Sequence, residues 1–373
     1  MLCTQAQTKR FLTKNISALS ACWRTRRGNY QNAAHSSRGS RPQAIASQQA
    51  RSSWPLPMED GKALPRVLSI QSHVVHGYVG NKCAVFPLQL LGLEVDPIYS
   101  VQFSNHTGYP SFKGAVFDGE QLRALTAGLE TNQLLTHTHL LTGYIGSLSL
   151  LQAIADLCAA LKRHSPNLTY VCDPVLGDEG RLYVARELVD AYASTIVPLA
   201  SVLVPNQFEA EQLTGGTPIT SLRAALAACE QLHARGPHTV VITSMTLPGD
   251  PGGITLVAST RLPQAAGGRL GGAARMCMRI DRIQAYFTGT GDLFAALLLA
   301  WMHHHPGDLA AAVEKAVGGL QAVLADTVAH CGPAALAGER TAEVCARREL
   351  RLIPCQGKLV DPPITYRCQV IDS

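Results

Sequence analysis

The stretch Phe287-Thr288-Gly289-Thr290-Gly291-Asp292-Leu293-Phe294-Ala295-Ala296 joins a glycine-rich turn to an apolar segment with helical spacing. Glycines let the backbone approach an anion closely, and the first N–H groups of a helix point outward without partners. The helix dipole adds to the attraction for negative charge. The turn therefore predicts an anion-binding helix start, with Asp292 placed to accept a proton from a substrate hydroxyl. Ordinary capping of the helix by Asp is the alternative interpretation.

From Arg66 onward, short apolar runs alternate with segments of helical spacing. This alternation predicts a mostly parallel sheet that is covered by helices on both faces. Such sheets bind ligands beyond the carboxyl ends of their strands. Polar residues follow predicted strands at these positions, namely Asp173, Asn206, Thr243, Ser244 and Asp292. We therefore expect a ligand site at this edge of the sheet.

The pattern predicts seven strands and eight main helices. The strands are Val67–Gln71, Val95–Val101, His139–Tyr144, Thr169–Cys172, Ser201–Val204, Thr239–Thr243 and Thr255–Ala258. The helices are Asn81–Leu91, Gly119–Leu129, Ser149–Arg163, Arg186–Ile196, Glu209–Leu213, Ser221–Ala234, Asp292–His303 and Leu309–Val328. Gly249–Ala274 is expected to form a loop or hairpin tip, and a strand over Ile283–Phe287 is expected before the Gly289 turn. Arg340–Arg351 is expected to be a short helix and Tyr366–Ile371 a terminal strand.

Charge is distributed unevenly along the chain. Residues 1–58 contain nine Lys or Arg and no Asp or Glu, whereas the formal net charge of all 373 residues is only +5, so residues 59–373 carry −4. A basic leader of this composition is typical of a chloroplast or mitochondrial transit peptide, and an untargeted tail on a cytosolic protein is the alternative. The acidic body argues against a nucleic-acid-binding domain, and the apolar runs are shorter than the ~20 residues of a membrane span.

Composition also divides the chain into regions. Residues 59–65 are expected to be a linker, with Met58 as an alternative start, and residues 66–330 the folded domain. Residues 331–373 form an extension, for which packing on the domain is one option. The 11 cysteines are scattered without close pairs, which favours buried free thiols in a reducing compartment. His303-His304-His305 is expected to be a solvated helix end and not a metal site, because consecutive helical residues point in different directions.

The segment around Asp292 resembles the signature of the ribokinase superfamily, which contains ATP-dependent kinases of small alcohols. Other segments resemble one of its families, the pyridoxal kinases. They are Leu68–Val75, Gly77–Asn81, Ser100–Tyr109, Leu141–Tyr144, Val171–Asp178, Pro205–Glu211 and Val241–Ser244. The resemblance covers about Arg66 to Val328, and its most specific part is Ser100–Tyr109. It implies a ribokinase-like three-layer α/β fold, with a central mostly parallel sheet flanked by helices, in a single domain.

The resemblance also implies residue roles. Asp292 would be the catalytic base for the 5′-hydroxymethyl group of pyridoxal, and Gly289, Thr290 and Gly291 the anion hole for the transferred phosphoryl group. The implied vitamer-binding residues are Ser72, Val101, Phe103, His106, Thr107 and Tyr144, together with Asp292. The implied ATP-binding residues are Asp173, Asp178, Tyr183, Asn206, Thr243 and Ser244, together with Gly289 and Thr290. The implied metal ligands are Asp173 and Glu209.

The implied reaction phosphorylates pyridoxal, pyridoxine or pyridoxamine with ATP, using Mg²⁺ and a monovalent cation, potassium, in a homodimer. Two departures from the family pattern stand out. The lid Gly177–Tyr183 is shorter than in animal-type members, and Val204 replaces a Thr that many members use for a nucleotide contact. A hydroxymethylpyrimidine kinase of the same superfamily and a catalytically silent vitamer-binding protein are the alternatives. The intact turn at Asp292 favours an enzyme over the silent protein.

Overall fold

The computed structural model describes residues 64–261, 273–337 and 340–371. The predicted leader 1–58, most of the linker 59–65 and part of the predicted loop Gly249–Ala274 lie outside the described residues. Within the described ranges, no helix is long and apolar enough to cross a lipid bilayer. Nine cysteines lie in these ranges with free thiols, and seven of them are buried.

The strands form one large sheet and one small hairpin. They are β1 Arg66–Val74, β2 Glu94–Phe103, β3 Gly114–Val116, β4 His139–Thr142, β5 Thr169–Cys172, β6 Gly177–Asp178, β7 Arg181–Leu182, β8 Val202–Leu203, β9 Thr239–Met245, β10 Gly253–Arg261, β11 Ala273–Asp281 and β12 Gln369–Val370. The large sheet has the order β12-β11-β10-β9-β8-β5-β4-β1-β2-β3, and β6 pairs with β7 alone. Pairings from β2 across to β9 are parallel, whereas both outer parts of the sheet are antiparallel.

The α-helices connect the strands, and short helices follow the last long helix. They are α1 Asn81–Leu90, α2 Gly119–Thr131, α3 Leu148–His164, α4 Arg186–Ala191, α5 Gln207–Leu213, α6 Leu222–His233, α7 Thr290–His304, α8 Leu309–Cys331, α9 Pro333–Ala337, α10 Ala342–Arg347 and α11 Gln356–Val360. Helix α1 ends as predicted before Gly92, whose φ of +85° is the left-handed conformation that glycine adopts without penalty.

The sheet carries a hydrophobic cluster on each face. Val67 of β1 belongs to one cluster and its neighbour Leu68 to the other, because successive side chains of a strand point to opposite faces. Helices α7 and α8 cover the first face, and α3 covers the second. The predicted fold of helices on both faces of a mostly parallel sheet is confirmed.

Two local predictions were wrong. The predicted loop or hairpin tip over Gly249–Ala274 is narrower than expected, because the strand β10 occupies Gly253–Arg261. Residues 273–281 form the strand β11, in which buried Met276, Met278 and Ile280 alternate with less buried neighbours. The nearby glycines and prolines concealed this two-residue period. No strand occurs over Ile283–Phe287, because β11 already ends at Asp281. The helix predicted over Arg186–Ile196 is confirmed, and it changes at Tyr192 into a π-helical turn.

The C-terminal segment contributes to the first cluster. Leu350, Leu352 and Leu359 are at most 1% exposed and pack in the same cluster as Val67. The helix predicted over Arg340–Arg351 is shorter than expected, since α10 ends at Arg347. The histidines at the end of α7 are exposed or half-buried, and His304 Nε2 lies 2.8 Å from the carbonyl of Leu91.

Candidate active site

Helix α7 begins two residues earlier than predicted, at Thr290, and Gly289 occupies the position before it. The φ of Gly289 is +87°, and a Cβ on this residue would lie 2.3 Å from the carbonyl oxygen of Tyr78. Only glycine fits both constraints. No side chain caps this helix, so the N–H groups of its first turn remain available to an anion.

Asp292 lies in this first turn, and its Oδ2 accepts a hydrogen bond of 2.7 Å from the N–H of Gly80. Burial raises the pKa of Asp292, and the Gly80 hydrogen bond opposes this rise. A carboxylate with a raised pKa is a stronger base, and the bond from Gly80 fixes its orientation. The side chain is therefore suited to accept a proton from a hydroxyl group bound beside it.

Gly80 was missed as a site residue in the sequence. Its φ is +51°, and a Cβ there would lie 2.1 Å from the carbonyl oxygen of Ser72 and 2.4 Å from Ser72 Oγ. Gly80 therefore lies against Ser72 near the end of β1 and also binds Asp292. A side chain at position 80 would collide with Ser72. The pattern Gly77-x-x-Gly80 directly before a helix was the available signal.

The residues predicted for the vitamer pocket lie at the ends of the adjacent strands β4, β1 and β2. The pairing of β1 with β2 shifts between Gln71 and Ser72, which places Ser72 beside Val101. Such an irregularity redirects side chains at a sheet edge. Phe103 ends β2 and contacts Phe112 at a ring distance of 4.9 Å. His106 and Thr107 follow in the next loop, His106 buried and Thr107 exposed, and half-buried Tyr144 follows β4.

Asp173 and Glu209 are buried carboxylates, and Asp173 lies next to the start of α7. A Cβ on Gly291 would lie 3.5 Å from Asp173 Oδ2, so Asp173 adjoins the predicted anion hole. Burial raises the pKa of Asp173, and the charges of Glu209 and Asp292 raise it further. The N–H of Val175 donates to Asp173, and Val175 itself has a φ of +37°, which β-branched residues rarely adopt. Strain of this kind is common at functional sites.

Glu209 accepts backbone hydrogen bonds at both carboxylate oxygens. Oε1 accepts from the N–H groups of Leu176 at 2.8 Å and Gly177 at 3.4 Å, and Oε2 accepts from Asn206 at 2.9 Å. Asn206 in turn caps α5, because its side-chain oxygen accepts a hydrogen bond from Glu209 N–H. Glu209 therefore fixes the turn that follows Asp173 at Leu176 and Gly177.

We expect Glu209→Gln to change how stability depends on pH. Burial raises the pKa of Glu209 from 4.5 to about 7, despite the three hydrogen bonds. The folded chain therefore holds this proton to a higher pH than the unfolded chain does, and its ionisation lowers the free energy of unfolding as the pH rises. Between pH 4.5 and 7, the free energy of unfolding of the wild type should fall by on the order of 3 kcal/mol relative to that of Glu209→Gln.

Urea unfolding at several pH values, without divalent metal, measures this difference. The exposed Glu187→Gln on α4 is the control and should follow the wild-type profile. If the free energy of unfolding depends on pH in the same way in Glu209→Gln and in wild type, folding does not raise the pKa of Glu209 and the prediction is wrong.

A cleft of about 570 Å³ lies on the other side of the α7 start, within the size range of small-molecule sites. It is lined by six residues from the predicted site, namely Asp178, Asn206, Thr243, Ser244, Thr290 and Gly291. The rest of its wall combines polar residues, among them Gln207, Glu211, Asp281 and Arg282, with an apolar part that was missed in the sequence: Leu256, Ile280, Ile283, Phe287, Phe294, Val317, Leu320 and Leu324. These residues come from β10, β11, the loop between β11 and α7, and helices α7 and α8, so the part contributed by β11 could not be identified without that unpredicted strand.

The lid segment forms the hairpin of β6 and β7. Its turn residues Glu179 and Gly180 have φ values of +49° and +76°, which suit a tight two-residue turn between antiparallel strands. Asp178 lines the cleft, whereas Tyr183 is 51% exposed and hydrogen-bonds to Tyr286 at the cleft wall. Tyr183 does not line the cleft itself and is connected to it by the hydrogen bond to Tyr286.

Val204 lies 3% exposed in the hydrophobic cluster of the first face. It is absent from the residues lining the described cleft. A Thr at this position would bury a hydroxyl group, which costs about 1–3 kcal/mol without a partner. Valine is therefore compatible with the core below the cleft.

The parallel sheet, the glycine-rich start of α7 and the apolar cleft beside it define a ribokinase-like kinase of small molecules. Residues 132–333, slightly more than half of the chain, match the family model described as phosphomethylpyrimidine kinase. The chain belongs to the pyridoxal kinase family. It is 51% identical over 314 residues to the pyridoxal kinase of Arabidopsis thaliana, covering 84% of this chain and 96% of the relative. Identity to that of Homo sapiens is 46% over 312 residues, with 82% and 98% covered.

Solved structures show the same likeness. Pyridoxal kinase from Leishmania donovani in complex with ADP matches with a TM-score of 0.74 at 35% identity, covering 82% of this chain and 99% of that one. The same enzyme in complex with ADP and pyridoxine matches with a TM-score of 0.73 at 36% identity, with 82% and 99% covered. These structures bear out the ribokinase-like fold.

Proposed function

We propose that this protein transfers the γ-phosphoryl group of ATP to the 5′-hydroxymethyl group of pyridoxal, and also of pyridoxine and pyridoxamine. The observation that carries the proposal is the position of Asp292. Its carboxylate lies in the first turn of α7, bound to Gly80 beside the Ser72 end of the sheet. The nucleotide cleft begins at Thr290 and Gly291 of the same turn. The start of α7 therefore lies between the predicted vitamer site and the nucleotide cleft.

In this mechanism, the vitamer hydroxyl binds beside Asp292, and Asp292 accepts its proton as the oxygen attacks the terminal phosphorus of ATP. The bond from that phosphorus to the bridging oxygen breaks, and ADP leaves. The N–H groups around Gly289–Gly291 stabilise the charge on the transferring phosphoryl group. Phosphoryl transfer depends mainly on such positioning and charge stabilisation. The apolar cleft holds the base and sugar of ATP, and closure of the β6–β7 hairpin excludes water from the reaction.

The residues near the phosphates also suit a magnesium ion. Mg²⁺ is usually bound by one or two carboxylates, with several waters and substrate phosphates. Asp173 and Glu209 offer two buried carboxylates whose pKa values are raised, and a nearby cation would favour their charged forms. Within the described residues, no group of three or more His, Cys, Asp or Glu side chains forms a metal site without substrate. When bound, the ion would neutralise phosphate charge, with Asp173 holding it and Glu209 acting through water.

Steady-state assays of a chain starting at Met58 test this function. With Mg²⁺ and ATP, we expect equal amounts of ADP and pyridoxal 5′-phosphate to form. Vitamer binding without ADP production would instead support the silent binding protein.

Three further expectations from the family resemblance belong to the proposal. We propose potassium as an activating monovalent cation, a homodimer as the working assembly, and organellar import directed by residues 1–58. Replacing potassium by sodium, light scattering of the purified protein and a fluorescent fusion of residues 1–60 test these points separately. Retention of the fusion in the cytosol would contradict the transit-peptide proposal.

A further inference from the structure

Glu349 lies beyond the segment that resembles the family motifs, in the C-terminal extension. Its side chain is 12% exposed. The next residue, Leu350, is 1% exposed in the hydrophobic cluster, which fixes the backbone at this point. A carboxylate this buried needs hydrogen-bond donors, and the donors of Glu349 come from two loops of the candidate active site.

The first loop is Gly77–Gly80. Glu349 Oε2 accepts a hydrogen bond of 2.8 Å from Tyr78 N–H. The approach is so close that a Cβ on Gly77, whose φ is +90°, would lie 2.2 Å from Glu349 Oε1. The other end of this loop is Gly80, whose N–H binds Asp292. Glu349 thus holds one end of a four-residue loop, and the proposed catalytic base is bound at the other.

The second loop contains His106 and Tyr109. Glu349 Oε1 accepts from Tyr109 O–H at 2.9 Å and lies 3.3 Å from His106 Nε2. His106 Nδ1 accepts from Gly108 N–H at 3.1 Å, so the ring hydrogen of neutral His106 is on Nε2 and points to Glu349. Cys345 Sγ adds a contact of 3.3 Å to the Gly108 carbonyl. The extension therefore binds this loop at several atoms.

The balance of forces on Glu349 keeps it charged. Burial alone would raise its pKa, but the hydrogen bonds from His106, Tyr78 and Tyr109 outweigh burial and lower the pKa below its usual range. The charged form is the one that accepts all three donors. Burial and, to a smaller extent, the hydrogen bond to Glu349 raise the pKa of Tyr109, so its hydroxyl remains a donor.

We propose that Glu349 is a positioning residue for phosphoryl transfer, which joins the vitamer-side loop at His106 and Tyr109 to the Gly77–Gly80 loop that orients Asp292. This inference rests on the proposed function and adds the C-terminal extension to the active site. Glu349 acts through these loops and does not itself touch the reacting atoms.

The variant Glu349→Gln tests this role. The amide has nearly the same size as the carboxylate, but its NH₂ group replaces one of the two accepting oxygens. This group therefore faces either Tyr78 N–H or the donors of the second loop, and those hydrogen bonds are lost. We expect kcat/KM for pyridoxal to fall about 10-fold, the typical effect of losing a hydrogen bond to a charged group, with a raised pyridoxal KM. The KM for ATP should stay near the wild-type value, and amide hydrogen exchange of residues 77–80 and 106–109 should accelerate. The control is Glu343→Gln, because Glu343 lies in the same extension with a 75% exposed side chain.

The variant Tyr109→Phe covers the case in which Glu349→Gln folds poorly, and a double-mutant cycle tests the network where both variants fold. Tyr109→Phe removes only one hydroxyl group, and we expect a smaller loss of kcat/KM in the same direction. Combined with Glu349→Gln, it should add less than its own separate effect, because both changes break one network. Wild-type kinetics and exchange in both variants, or a lowered melting temperature with unchanged kinetics, would overturn the proposal. If wild type itself does not phosphorylate pyridoxal, the proposed function fails, while the exchange data still test the connection between the loops.

Discussion

Replacing Asp292 by Asn should lower kcat for pyridoxal by about 10²- to 10⁴-fold, the usual contribution of a general base. The amide oxygen of Asn can still accept the hydrogen bond from Gly80 N–H, which now measures 2.7 Å. The loop and the vitamer pocket should therefore keep their structure, and pyridoxal should still bind. The loss should fall on the chemical step, because the variant cannot accept the hydroxyl proton.

Steady-state kinetics with a separate binding titration of pyridoxal measures this effect. Asp190→Asn is a matched control, since Asp190 is an exposed carboxylate on helix α4. It should leave both binding and kcat unchanged. Unchanged turnover in Asp292→Asn would refute the assignment of Asp292 as the base. Lost turnover together with lost pyridoxal binding would assign Asp292 to binding instead.

Replacing Gly289 by Ala should lower kcat by about 10²-fold or more, the cost of losing an anion-hole donor. The new Cβ would lie 2.3 Å from the carbonyl oxygen of Tyr78 and 3.0 Å from Cys83 Sγ. The start of α7 must then shift away from the loop that carries Gly80. We expect a lower free energy of unfolding as well, because alanine also disfavours a φ of +87°.

Gly307 provides a control that separates these two causes. Its φ is +83°, almost that of Gly289, but a Cβ on Gly307 would have no heavy atom within 4 Å. Gly307→Ala should cost about 1 kcal/mol of stability through its backbone conformation and leave kcat unchanged. Similar kinetics in the two variants would contradict the role of the Gly289 turn. Kinetics and urea unfolding of both proteins make the comparison.

The sequence predicted the central sheet because its signals are local. The apolar runs of β1, β4 and β5 and the polar residues after them can be recognised within a few positions. Asp173 and Asn206 follow β5 and β8 as expected, and the Gly289 turn opens α7. The parallel sheet then brings these strand ends to one edge by geometry alone.

The missed parts depend on contacts between distant residues. Glu349 and Tyr78 are 271 positions apart, and nothing in the local pattern of either residue indicates their hydrogen bond. Gly80 is adjacent to Asp292 in space only because α1 and α7 pack together on one face of the sheet. The apolar cleft wall depends on β11, whose pairing with β10 places Ile280 opposite Ile254. Composition near this hairpin favoured a loop and concealed its strand pattern.

The choice between the two kinase substrates is the central claim, because the fold and the Gly289 turn are shared by both families. Competition between pyridoxal and hydroxymethylpyrimidine for limiting enzyme, with Mg²⁺ and ATP, tests it most directly. With the two substrates at equal concentration, the initial ratio of the two phosphorylated products gives the ratio of the kcat/KM values. We predict a large excess of pyridoxal 5′-phosphate, and a preference for the phosphorylated pyrimidine would contradict the account.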